Sequence, residues 1–315
     1  MSTPAERARP SRWTAHQERS NLWVLRLMRW IAIKTGRRVA RLTLHPITLY
    51  FLLAHGKARR ESARYLRRAL EQEVGWSHVY RHIHRFASTV LDRVYFLQER
   101  FDEFDVRATG AEAIDAPIAR GRGALMVGAH LGSFEALRAI GEERGLNVAM
   151  LMYEDNARLI NATLAAIAPE ARLHTIALGR AGAMLAVREW LDQGGIAGLL
   201  GDRTLPGHSG RSRTVCLPFL GAPARFSDGP FRLAAMLRRP AIFMTGLYHG
   251  GRHYELRFTE LADFSEPAPG GAAEQEQRIA QAMATYVALL ETLCRESPYN
   301  WFNFFDFWAT DDAPH

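Results

Sequence analysis

The sequence predicts an α/β fold: a mostly parallel central sheet flanked by helices, behind a basic amphipathic helical N-terminal segment. Three observations carry this. From Val106 onward, short apolar runs bounded by glycine alternate with longer helical stretches, the pattern of successive βαβ units. Between residues 58 and 97 the apolar positions instead repeat at steps of three and four, the signature of amphipathic helices. The basic charge is concentrated at one end. Residues 1–60 hold thirteen Lys and Arg against two acids, whereas the rest of the chain holds 27 basic and 31 acidic residues.

In chain order, residues 1–20 are polar and rich in Arg and Pro, an unstructured start. Two apolar stretches follow, 22–33, which contains Arg26 and Arg29, and 42–56, which has no Lys, Arg, Asp or Glu but includes His45 and Pro46. Each is shorter than the ~20 residues that cross a bilayer. Arginine-studded helices with Leu and Trp on the other face suit the membrane interface, so residues 1–57 are read as a disordered start plus interfacial helices. No small-residue cleavage site of a secretion signal follows. The remainder, 58–315, reads as one unit with a helical lead-in (58–105), an α/β core (106–265), and a final helix with an aromatic tail (274–308). Strands are predicted at 124–127, 148–152, 175–178, 196–200 and 241–247, with an edge strand at 254–258. Helices are predicted at 58–74, 79–97, 134–143, 157–167, 182–192, 231–237 and 275–294.

Composition narrows the function classes. At 48% hydrophobic residues the chain is no disordered tract. Two cysteines, Cys216 and Cys294, make no disulfide framework and suit a reducing compartment. A basic end on a slightly acidic body favours an anionic partner surface. Nucleic acid is excluded as that partner, since the charge lies in apolar helical segments and no DNA- or RNA-binding signature appears. Neither a P-loop nor Gly-x-Gly-x-x-Gly is present. His78 and His82 share a helical face, but two ligands make no metal site, and no metal is predicted.

The chemistry concentrates at Gly128-Ala-His130-Leu-Gly132-Ser133-Phe-Glu135, where a buried strand hands over to a helix. In open α/β sheets ligands bind at that edge. A histidine there can serve as general base, with the carboxylate in the first helical turn orienting it. Ser133 is a candidate N-cap. Gly128 and Gly132 leave room for a ligand, and backbone N–H groups near Ser133 and Phe134 are candidates to receive an oxyanion. Leu131-Gly-Ser-Phe-Glu135 is not Gly-x-Ser-x-Gly, so a serine nucleophile elbow is unsupported. Asp202 and Arg203 follow the strand at 196–200, with Arg211, Arg213 and Arg225 nearby in sequence. That is an arginine set suited to phosphate.

These blocks resemble the late lipid A acyltransferases of Gram-negative bacteria, within the lysophospholipid and glycerol-phosphate acyltransferase superfamily. His130-x4-Glu135 is similar to that family's first motif. Met152-Tyr153-Glu-Asp-Asn156-Ala-Arg-Leu159 resembles the second, Gly201-Asp202-Arg203 with residues 213–221 and 224–237 the third, and Pro298-Tyr-Asn-Trp301 the closing motif. The likeness runs over residues 22–308. Glu154 stands where the family usually has an arginine. The aromatic ending to Trp308 is closer to homologues encoded with polyene or other fatty-acid-like pathways.

The resemblance implies direct acyl transfer, with His130 and Glu135 catalytic and Gly132, Ser133, Tyr153, Asn156, Asp202, Arg203, Arg213 and Arg225 binding substrate. It implies no cofactor, an acyl thioester of acyl carrier protein or coenzyme A as co-substrate, and a lipid or glycolipid hydroxyl as acceptor. The expected place is the cytoplasmic face of the bacterial inner membrane, held peripherally or by a short N-terminal anchor on an anionic surface. A thioesterase and a non-catalytic membrane-binding protein are the rival readings.

Overall fold

The computed structural model describes residues 12–137, 139, 141, 145–153, 174–180, 182–203 and 213–308. Within them seven strands form one sheet in the order β1-β9-β8-β2-β5-β3-β4. These are β1 (Asp105–Thr109), β2 (Leu125–Gly128), β3 (Val148–Tyr153), β4 (His174–Leu178), β5 (Ile196–Leu200), β8 (Pro240–Gly250) and β9 (His253–Asp263). Every neighbouring pair is parallel except the β8–β9 hairpin. A separate antiparallel hairpin joins β6 (Thr214–Phe219) and β7 (Ala222–Ser227).

The α/β class and the five core strands read from apolar runs are present. One reading needs correction, and some elements are new. The segment at 254–258 is no edge strand: β9 lies between β1 and β8, and β1 takes the edge. The β6–β7 hairpin and helix α4 (Glu112–Ala119) had no counterpart in the sequence reading. The hairpin's alternation is masked by Pro218, Pro223 and the charged Arg225. The helix predicted at 157–167 lies outside the described residues.

Side-chain alternation on β2 sorts the molecule into layers. Leu125 and Val127 face one core, with α2 (Gly56–Leu70), α5 (Ala183–Asp192), α6 (Gly229–Leu237) and α7 (Gly271–Glu296). Ala124 and Met126 face the other, with α1 (Arg12–Ala54), α3 (Trp76–Leu97) and α4. Leu125, Met126 and Val127 are all fully buried. At about 2 kcal/mol for each such side chain, the strand is held on both faces, as a central parallel strand requires. Helix α7 presents Ile279, Met283, Tyr286, Leu290 and Leu293 inward, at helical spacing.

The first N-terminal apolar stretch and all but the last two residues of the second fall within α1, which kinks at Gly36 (φ 76°). Its inner face is part of the body. Ala32, Ala40 and Leu44 are buried in the second core. Arg37 makes a bidentate pair with the buried Asp92 of α3, both contacts at 2.8 Å. Tyr254 also donates to Asp92 at 2.9 Å. Its outer face leaves Leu42 at 66% and Tyr50 at 62% exposed, large apolar groups left in contact with solvent. No described helix is long and apolar enough to cross a membrane.

Candidate functional site

The site forms where β2 and β5 end side by side. The two strands are in register, Gly128 opposite Leu200. The ladder runs one step further, with Gly201 N–H donating to Gly128 O at 2.9 Å. Two residues beyond each strand end stand His130 and Asp202, so the sheet itself brings them together. His130 Nδ1 lies 2.9 Å from Asp202 Oδ1, and its backbone N–H donates to Oδ2 at 3.0 Å. Asp202 is almost wholly buried, whereas the His130 side chain is 31% exposed. An ionised carboxylate only accepts, so Nδ1 carries the proton and Nε2 keeps its lone pair. Among the described residues Nε2 has no hydrogen-bond partner.

Burial works to raise the Asp202 pKa, but the His130 ring, the Trp301 indole N–H and Arg203 outweigh it and hold the carboxyl down to about 2. The group therefore stays ionised throughout the neutral range.

Glu135, expected to orient the histidine, points elsewhere. Its Oε1 lies 2.7 Å from Arg93 Nε of α3, and its Oε2 accepts from Ser133 Oγ at 3.1 Å. The first motif's carboxylate thus braces the turn after β2 against α3, while the histidine takes its carboxylate from the neighbouring strand. Ser133 is also corrected. Its hydroxyl serves Glu135 rather than capping the following 3-10 turn (Phe134–Ala136), and its amide donates to Gly246 O at 2.8 Å, so it is not open to an oxyanion.

Gly132 is where the turn crosses β8. Its φ is 76°, and an added Cβ would lie 1.9 Å from Gly246 O. Gly246 is equally constrained, with its own Cβ position 2.2 Å from Ser133 O. Positive φ and overpacking together make Gly132→Ala expensive. It is expected to cost about 3 kcal/mol or more in urea unfolding, and a variant within ~0.5 kcal/mol of wild type would show that the turn yields freely.

The C-terminal tail closes over the pair. Trp301, fully buried, donates Nε1–H to Asp202 Oδ2 at 3.0 Å. Phe302 N–H donates to His130 O at 2.8 Å, and Gly132 N–H to Asn300 O at 2.8 Å. Asn300 is clamped on the Tyr248 backbone through both ends of its amide, at 2.8 and 3.1 Å. Beneath the tail, His82 of α3 donates Nε2–H to Trp301 O at 2.9 Å and accepts from Ser62 at Nδ1, 2.8 Å away. Sequence reasoning missed the tail's role. Aromatic density alone reads as packing, and the signal available was the Pro298–Trp301 block.

Full burial lowers the His82 pKa to about 4, against the pull of the Trp301 carbonyl. The unfolded chain therefore binds a proton between pH ~6.5 and ~4 that the folded chain refuses, and stability falls as pH drops through that window. The expected loss is ~3 kcal/mol. Urea unfolding of wild type and His82→Gln at pH 7 and 4.5 checks it: the pH-dependent loss shrinks by that amount in the variant, and an equal loss in both assigns it elsewhere.

The other predicted binding residues are dispersed. Arg203 follows Asp202 but donates to Phe302 O at 3.2 Å and stacks on Phe305 at 5.0 Å. Its pKa is lowered, burial outweighing the nearby Asp202 charge. Tyr153 ends β3, two strands from β2. Arg213 and Arg225 are exposed, flanking and on the β6–β7 hairpin. Arg213 N–H donates to Asp228 at 2.9 Å. Asn156 and Arg211 lie outside the described residues.

The arrangement is a histidine hydrogen-bonded to a buried carboxylate, its other ring nitrogen without a partner among the described residues, at the carboxyl edge of a parallel sheet where ligands bind in such folds. A family model described as bacterial lipid A biosynthesis acyltransferase matches residues 82–310. No curated protein sequence matches the chain.

Proposed function

The chain belongs to the bacterial lipid A biosynthesis acyltransferase family, and from that premise we propose that it moves a fatty acyl group from an acyl thioester to the hydroxyl of a lipid or glycolipid, with His130 as general base and Asp202 as its partner. The observation that carries this reading is the Asp202–His130 hydrogen bond at 2.9 Å, which leaves the other ring nitrogen free. His130 Nε2 takes the proton of the acceptor hydroxyl as its oxygen attacks the thioester carbonyl. The C–S bond then breaks, and the leaving thiolate recovers the proton from the imidazolium. Asp202 stabilises that imidazolium, and no covalent enzyme intermediate is needed. Glu135 acts at one remove, pinning the turn that carries His130.

Acyl carrier protein and coenzyme A are both acidic donors, and the basic N-terminal segment suits either. The outer face of α1, with Leu42, Leu49, Tyr50 and Leu53 exposed just after the basic run Lys34, Arg37, Arg38 and Arg41, supports attachment in the plane of an anionic membrane at the cytoplasmic face of the inner membrane.

The test incubates the purified chain with an acyl carrier protein thioester, or its coenzyme A counterpart, and a bacterial lipid extract, read by mass spectrometry. The expected product is a lipid heavier by one acyl group for each thioester consumed. Thioester loss yielding only free acid would make the protein a hydrolase.

A further inference from the structure

Arg41 and His45 stand one turn apart on α1, facing His84 and Arg85 of α3. The His45 and His84 rings stack at 4.8 Å, and His45 Nδ1 lies 2.6 Å from the Tyr80 hydroxyl. The Arg41 and Arg85 guanidinium carbons lie 5.7 and 4.9 Å from the centre of one ring, that of Tyr248. Among the described residues this cluster of basic groups has no free acid beside it. Asp92, the nearest, is engaged by both Arg37 contacts and by Tyr254. Arg41 Nη1 stays 3.8 Å from it, and Arg41 Nη1 and His84 Nε2 are both buried without a hydrogen-bond partner. Burial and the charges of His45, Arg41 and Arg85 hold the His84 pKa down, a strain that a bound anion relieves. None of these residues takes part in the catalytic pair or its tail.

The cluster opens at His45, which is exposed, and Leu42 and Leu49 flank His45 on the same helical face at 66% and 49% exposure. Basic groups set beside an outward apolar strip match a molecule that carries phosphate next to hydrocarbon. We propose that Arg41, His45, His84 and Arg85 bind the phosphate of an anionic phospholipid whose acyl chains lie along Leu42 and Leu49. The site would fix where α1 sits against lipid, and it rests on the reading that this face meets a membrane.

The test titrates the full chain with short-chain phosphatidate below its micellar concentration, which needs no bilayer, and with inorganic phosphate. Calorimetry is expected to show saturable phosphatidate binding, weakened about tenfold or more in Arg41→Gln/His84→Gln. The variant His45→Gln, at the exposed mouth of the cluster, leaves Arg41, His84 and Arg85 in place and is expected to weaken it in the same direction. Unchanged affinity in both variants overturns the proposal, as does inorganic phosphate binding as tightly as the lipid. Flotation on phosphatidylcholine vesicles with and without phosphatidate separates this from the membrane reading. Phosphatidate preference lost in the double variant, with binding to plain vesicles kept, supports the site. Preference kept in that variant overturns it while membrane attachment stands. A wild-type chain that floats with neither vesicle ends the membrane reading, and the bilayer-free titration then decides the site.

Discussion

His130→Ala is expected to lower kcat/KM for acyl transfer by about 10³-fold or more, with the fold kept and stability reduced by only about 1–3 kcal/mol as Asp202 loses its ring partner. A positioned general base contributes roughly 10²–10⁴, and in the proposed mechanism the same ring also returns the proton to the leaving thiolate. The fold should tolerate the change. The ring is 31% exposed, and the contacts that hold the turn, from His130 N–H to Asp202 and from Phe302 N–H to His130 O, are backbone contacts that alanine keeps. Steady-state transfer with melting measured in parallel checks it. Turnover within tenfold of wild type would remove the histidine from the mechanism.

Asp202→Asn is expected to cost about 10³–10⁴ in kcat, the scale seen when a triad carboxylate becomes an amide. Two donors, His130 N–H and Trp301 Nε1–H, converge on Oδ2. They force the asparagine oxygen to that side and turn its NH2 toward His130 Nδ1. Nδ1 then has to accept, the ring proton moves to Nε2, and the nitrogen facing the substrate loses its lone pair. Glu135→Gln is the internal control. Its carboxylate meets Arg93, whose side chain is 37% exposed, and Ser133, so the variant should lose less than about tenfold in kcat, with a stability cost of roughly 1 kcal/mol. The reverse order of effects would return the orienting role to Glu135.

The contrast between these carboxylates shows how far the sequence reached. His130-x4-Glu135 is a local pattern, and locality pairs the histidine with the carboxylate five residues on. The structure pairs it with one 72 residues away, because β2 and β5 are parallel neighbours in register. The hint was present: Gly128-x-His130 and Leu200-x-Asp202 each place a polar residue two positions beyond a buried strand. Reading it as a pair required the strand order, and strand order in a parallel sheet is set by crossovers that leave no periodic mark. Trp301 was equally hidden, since its indole meets Asp202 only after α7 returns the chain to the site.

Periodicity and composition by themselves determined the α/β class, the core strands, the basic amphipathic start and the strand-edge histidine, because burial on one or two faces writes a repeat of two or 3.6 residues into the chain. The tertiary structure alone decided which carboxylate serves His130, that Glu135 braces α3, that Ser133 spends its amide on Gly246, and that the tail seals the pair. Those are contacts between segments far apart in sequence, and their geometry follows from sheet register and helix packing rather than from any local spacing.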